Sequence, residues 1–179
     1  MELAHYNHSF SLRNKMARLI WNIVRLLFFR LFVSRLFKKW RILVLKCFGA
    51  KLAWSSHIYA SVQIWAPWNL EVGKNSSLGP KVDCYNQGKV SIGANTIISQ
   101  KSYLCASTHD YTKKDFPLIL KPITIGNGVW IAADAFIGPG VYIHNNVIVA
   151  ARSVVTKNVD KNTIVGGNPA QLIKSRSFE

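Results

Sequence analysis

The sequence predicts a mainly β fold: one parallel β-solenoid, preceded by amphipathic helices and closed by a short helix. Three observations predict it. From Ile125 onward an aliphatic residue recurs every six positions, at Ile125, Ile131, Ile137, Ile143, Val149 and Val155. Four residues after each stands a second small or β-branched residue: Val129, Ala135, Val141, Val147, Ser153 and Val159. Finally, residues 13–48 contain neither Pro nor Gly and interrupt Leu, Ile, Val, Phe and Trp with Arg or Lys every few positions. A period of six is neither helical nor a plain strand alternation. Self-similarity of this kind marks a solenoid whose units bury their apolar faces only against their neighbours.

In chain order, Met1–Leu12 shows no periodicity and reads as a mobile arm or a segment packed on a neighbouring subunit. From Arg13 to Phe48 the pattern is helical: Arg18, Asn22 and Arg25 share one face, and Leu19, Ile20, Ile23, Val24, Leu26 and Leu27 cover the rest. Eleven of the Lys and Arg residues lie between Met1 and Lys51, against Glu2 alone. A spanning helix needs about 20 mostly uncharged residues, and Arg18, Arg25, Arg30 and Arg35 break every such window. Basic residues together with Trp21, Trp40 and several Phe predict an interfacial helix on anionic lipid. The alternative is a helical hairpin packed on the solenoid or on other subunits. Nucleic acid is excluded as a partner, because the region is too apolar for a solvated basic arm. Residues 1–50 are thus a helical unit, ended by Gly49–Ala50.

The repeat then runs over residues 51–167, visible as IYASVQ at Ile58, IWAPWN at Ile64, VGKNSS at Val72, LGPKVD at Leu78, IGANTI at Ile92, ISQKSY at Ile98 and LCASTH at Leu104. The steps from Ile64 to Val72 and from Cys84 to Ile92 are eight residues, which predicts bulged corners. Between His109 and Ile125, Pro117 and Pro122 prevent the coil from continuing, so residues 110–124 are expected to leave it as an extended loop, a common carrier of function. In residues 168–179, Asn168–Pro169 reads as the start of a capping helix over Ala170–Arg176.

Composition narrows the class. An apolar share of 49% with 17% charged residues excludes global disorder. Cys47, Cys84 and Cys105 are an odd number without CxxC spacing, which predicts neither a disulfide framework nor a zinc cluster and fits a reducing cytoplasm. Residues 1–10 lack the pattern of a secretory signal. The expectation is a cytoplasmic protein peripheral to the inner face of a bacterial membrane.

The repeat, with WAPWNLEVG at Trp65–Gly73, LCASTHDY at Leu104–Tyr111, VVTKNV at Val154–Val159 and GGNPAQLIK at Gly166–Lys174, resembles the hexapeptide-repeat acyltransferases. The resemblance covers nearly the whole chain and points to the O-acetyltransferases of exopolysaccharide and capsule synthesis, the colanic acid type, similar in turn to maltose and nodulation-factor acetyltransferases. It implies a left-handed parallel β-helix, a homotrimer with active sites between subunits, and acetyl-CoA as co-substrate. The acceptor it implies is a sugar hydroxyl, on a free or lipid-linked glycan precursor. By resemblance His109, within STHDY, is the base that takes a proton from the acceptor hydroxyl, a task suited to an imidazole. Asp83 is a second catalytic candidate that orients the acceptor or His109, with Asn86 as its alternative. Ala133 and Ala151 line a groove for the pantetheine arm, and Thr156, Lys157, Lys174 or Arg176 lie near the nucleotide. Trp130 walls the groove, touches the acceptor or packs between subunits. Backbone N–H groups of a facing coil would meet the developing oxyanion.

Taken singly, each of these has a plainer reading as a corner residue or a solvated lysine. His5, His8, His57 and His144 read as arm or surface residues. A γ-class carbonic anhydrase shares the expected fold, but the paired histidines of its zinc site are missing, so no metal is expected. The remaining rivals are an N-acetyltransferase acting on an amino sugar and a non-enzymatic membrane scaffold.

Overall fold

The structure is a computed structural model that describes residues 10–178. The expectation for the N-terminal arm, with His5 and His8, lies almost wholly outside the described residues. Ser11 caps α1 (Leu12–Val24), its hydroxyl accepting from the Asn14 N–H at 3.3 Å. A π-helical turn, Arg25–Phe29, extends α1. After a 3-10 turn at Arg35–Phe37, α2 (Lys38–Cys47) follows and ends at Gly49, whose φ of +86° favours glycine.

The solenoid has three faces, and each coil contributes one strand to each. The first coil holds β1 (Lys51–Leu52), β2 (His57–Ile58) and β3 (Gln63–Ile64), and the second β4 (Leu70–Val72), β5 (Ser77–Leu78) and β6 (Asp83–Tyr85). The third holds β7 (Val90–Ile92), β8 (Ile97–Ile98) and β9 (Tyr103–Cys105). A hairpin, β10 (Ser107–His109) and β11 (Leu118–Leu120), then leaves the stack. The fourth coil is β12 (Ile123–Ile125), β13 (Trp130–Ile131) and β14 (Phe136–Ile137), and the fifth β15 (Tyr142–Ile143), β16 (Ile148–Val149) and β17 (Val154–Val155). The faces are the parallel sheets β1-β4-β7-β12-β15, β2-β5-β8-β13-β16 and β3-β6-β9-β14-β17. Both registers of the repeat point inward, and from Ile125 to Val159 every one of the twelve residues named above is buried.

The helices close the open end of this stack, where a first coil has no neighbour and its edge would invite another strand. Trp21, Phe29, Ile42 and Leu45 are fully buried in the common core. On each of the three faces the helices reach one carbonyl of that edge. Lys46 Nζ donates to the Leu52 carbonyl (2.9 Å), Arg41 Nε to that of Ile58 (2.9 Å) and Trp21 Nε1 to that of Ile64 (2.8 Å). The helical hairpin packed on the solenoid, given above as the alternative, is therefore present, while the opposite surface of α1 remains exposed.

At the other end the expected capping helix is absent. Residues of that stretch form β19 (Ala170–Ser175), antiparallel to β18 (Thr163–Gly167), which continues the second face beyond β16. The reason is the same edge problem: a helix would leave the outer N–H and C=O groups of β18 without partners, and a returning strand pairs them.

All three irregular steps fall at one corner, between the third and first faces. Here lie the 3-10 turn Pro67–Asn69 and the bulge at Asn86–Lys89, and from here the β10–β11 hairpin departs. The segment expected as an extended loop does leave the coil, but its Leu118–Leu120 returns as a strand against β10, and Ile123 and Thr124 already belong to β12.

Candidate active site

His109 ends β10 and is exposed. Its Nδ1 lies 2.5 Å from the carbonyl of Phe116 across the hairpin. A carbonyl can only accept, so the proton sits on Nδ1 and Nε2 is the basic nitrogen of the neutral ring. The clasp depends on the tip of the hairpin. Phe116 has a φ of +44°, the Asp110 N–H donates to the Pro117 carbonyl at 2.9 Å, and the Asp110 carboxylate accepts from the backbone and hydroxyl of Thr112 at 3.1 and 2.6 Å. These hydrogen bonds from Thr112 hold the Asp110 carboxyl below its ordinary pKa. A left-handed φ at a phenylalanine is strain that an over-determined loop sustains, and such strain is concentrated at functional sites.

Asp83 faces a second feature, a cavity of about 240 Å³ on the third face, between the sheet and α1, which Arg18, Asn22, Arg25, Trp65 and Tyr85 also line. Burial raises the Asp83 pKa, with Arg25 opposing the shift. The helical spacing read from the sequence put Arg18, Asn22 and Arg25 on one face, and that face lines this cavity. The partner of His109 at Nδ1 is the Phe116 carbonyl, and Asp83, expected to orient the acceptor or His109, lines the cavity instead. Asn86 is corrected as an acceptor-binding residue, because it has no exposed surface. Its Oδ1 accepts from the N–H groups of Trp65 and Ala66 (3.0 and 3.1 Å) and its Nδ2 donates to the Ala66 carbonyl (2.6 Å). It ties together the two bulged corners, which the sequence could show only as an irregular step.

A third feature is an apolar groove of about 510 Å³ lined by Ser99, Gln100, Trp130, Ala132, Ala133, Ile148, Ala150 and Ala151. The indole of Trp130 is fixed by a 3.0 Å hydrogen bond from Nε1 to the Ser99 hydroxyl. Small residues at both corners keep the groove open, where any longer side chain would fill it. The structure thus brings Trp130, Ala133 and Ala151 to one groove. Thr156 and Lys157 are exposed just after β17, and Lys174 is exposed on β19. Arg176 donates to the carbonyls of Gly128 (3.1 Å) and Asn146 (3.2 Å), so its guanidinium is already bound to the protein. Among the described residues no group of three His, Cys, Asp or Glu is placed to hold a metal.

The hexapeptide solenoid defines a class, and with the likenesses that follow the chain belongs to the hexapeptide-repeat acetyltransferases. The bacterial transferase hexapeptide family (six repeats) matches residues 122–157. The chain is 42% identical over 138 residues to WcaF of Escherichia coli K12, which carries the name colanic acid biosynthesis acetyltransferase; the match covers 77% of this chain and 76% of WcaF. It is 32% identical over 109 residues to the galactoside O-acetyltransferase of Escherichia coli K12, covering 59% of this chain and 54% of the relative. Its fold is shared with the hexapeptide-repeat acetyltransferase VCA0836 of Vibrio cholerae, solved in complex with acetyl-CoA. That likeness has a TM-score of 0.82 at 23% identity and covers 99% of this chain and all of the other.

Proposed function

We propose that this acetyltransferase moves the acetyl group of acetyl-CoA onto a hydroxyl of a sugar in an exopolysaccharide or capsule precursor, with His109 as general base. The observation that carries the reading is the Nδ1 contact of His109 with the Phe116 carbonyl, which fixes the tautomer a base requires. Nε2 takes the hydroxyl proton as that oxygen attacks the thioester carbonyl. The C–S bond then breaks, and the proton passes from Nε2 to the departing thiolate sulfur, with no acyl-enzyme. The groove at Trp130, Ala133 and Ala151 fits a thin, mostly apolar arm such as pantetheine, and Thr156, Lys157 and Lys174 supply hydroxyl and positive charge for its nucleotide end. In a homotrimer a neighbouring coil would close the groove from the open side.

The reading extends to location. Leu19, Ile23 and Leu26, 58%, 53% and 57% exposed, share the outer surface of α1 and its π-helical extension among basic residues. No helix among the described residues is long and apolar enough to cross a membrane. This surface suits anionic lipid on the inner face of the cytoplasmic membrane, which would hold the site near a lipid-linked acceptor. The test of the chemistry is His109→Ala. Turnover should fall about a hundredfold or more, while calorimetric titration with CoA should be unchanged. Parental turnover in the mutant would refute the assignment.

A further inference from the structure

The cavity beneath α1 has a charge arrangement that a neutral sugar does not require. We infer that it is the acceptor subsite and that it selects a sugar bearing an anionic oxygen group, a carboxylate or a phosphate, with Arg25 and Arg18 as the selecting residues; this rests on the acetyltransferase reading above. The cavity adjoins the corner from which the His109 hairpin springs, since Trp65 directly follows β3 and Tyr85 closes β6.

The two arginines are prepared for a ligand rather than for the fold. Arg25 Nε is buried and has no hydrogen-bond partner among the described residues, a state that is rare for a buried donor. Arg41, from the same helical region, shows the structural alternative: its guanidinium donates to the carbonyls of Ile58, Phe32 and Ser34. Arg25 lies in the π-helical turn, and such turns recur at functional sites. Arg18 holds its guanidinium 3.7 Å from the centre of the Trp65 ring. That indole also meets Phe10, at 4.9 Å between ring centres, and Tyr85, in an edge contact at 6.5 Å. The plane of Arg18 is thereby fixed and its N–H groups remain as donors.

Asp83 stands opposite, yet the ion pairs among the described residues are only those of Glu71 with Lys51 and Lys89. Asp83 and Arg25 therefore face each other across the cavity without closing it. A ligand that gives a hydroxyl hydrogen to Asp83 and presents anionic oxygens to the arginines satisfies both sides. Two guanidiniums against one carboxylate leave a positive balance that an anionic group neutralises. Partial burial lowers the pKa of both arginines and raises that of Asp83, the direction expected of charges partly withdrawn from water.

The test uses the full chain and three probes titrated calorimetrically: methyl glucuronide, glucose 1-phosphate and methyl glucoside. At least one anionic sugar should bind about tenfold or more tightly than the neutral glucoside, and which of the two does so separates carboxylate from phosphate recognition. Arg25→Gln should abolish the preference, costing the favoured anionic sugar about tenfold more affinity than the neutral glucoside, and Arg25→Lys should restore part of it. Equal affinity for all three sugars, no saturable binding of any, or equal weakening of charged and neutral probes by Arg25→Gln would overturn the inference. A CoA titration on the same samples keeps the two readings apart. Intact CoA binding without anion preference overturns the subsite alone. Anion preference without CoA binding overturns the acetyl-transfer reading and, with it, the role of the cavity as an acceptor subsite.

Discussion

Arg41 and Arg25 provide a paired prediction, because one helical region holds a buried guanidinium and a half-buried one with opposite bonding. Arg41 is 1% exposed and donates to three carbonyls, at 2.9 Å to Ile58, 2.5 Å to Phe32 and 3.0 Å to Ser34. Arg41→Met keeps most of the side-chain volume and removes all three bonds. The Ile58 carbonyl belongs to the edge of the first coil and its hydrogen bond is buried, so it bears the full penalty of an orphaned acceptor, about 1–3 kcal/mol. The carbonyls of Phe32 and Ser34 are part-buried and regain water, each costing about 0.5–1 kcal/mol. The total, about 2–5 kcal/mol, corresponds in a chain of this size to a fall in Tm of about 4–20 °C. Arg25→Met breaks no hydrogen bond and removes a desolvated charge, so its Tm should stay within about 2 °C of the parent. Thermal unfolding by circular dichroism, at one fixed protein concentration so that any oligomer contributes equally, reads both. A loss from Arg25→Met as large as that from Arg41→Met would refute the reasoning, since Arg25 would then be a structural residue.

Other consequences are equally direct. Ala133→Leu fills the groove with three further carbons and should raise the KM for acetyl-CoA about tenfold or more with Tm unchanged; an unchanged KM places the pantetheine arm elsewhere. Asp83 has a folded pKa raised by burial, so its ionisation opposes folding above the ordinary carboxylate range, and the penalty vanishes once pH falls below it. Asp83→Asn should therefore raise Tm at pH 7–8 and lose that advantage toward pH 3, as a pH series of melting curves would record; a constant offset across pH contradicts it. Leu19→Glu with Ile23→Glu should abolish sedimentation with anionic vesicles and leave Tm unchanged, whereas retained binding would show that another surface holds the lipid.

The hexapeptide period determined the solenoid, its inward residues and its corners, because in a parallel stack each buried position depends only on residues one coil away and so repeats in the chain. The same regularity made the breaks visible: two eight-residue steps and a Pro-bearing excursion marked where the chain leaves the repeat, and His109 stood at the largest. The face of Arg18, Asn22 and Arg25 was also legible, because helical spacing is local. What faces that helix was not. That Trp21, Arg41 and Lys46 each donate to an edge carbonyl of the first coil, that Asn86 is sealed inside a corner, and that the Phe116 carbonyl accepts the hydrogen bond from His109 Nδ1 are contacts between elements, and no local pattern encodes them. The C-terminal segment shows the same limit most plainly. Asn-Pro followed by Ala-Gln-Leu-Ile-Lys satisfies helix rules in isolation, yet the unpaired edge of β18 makes a returning strand the better partner, and that edge exists only once the stack has formed.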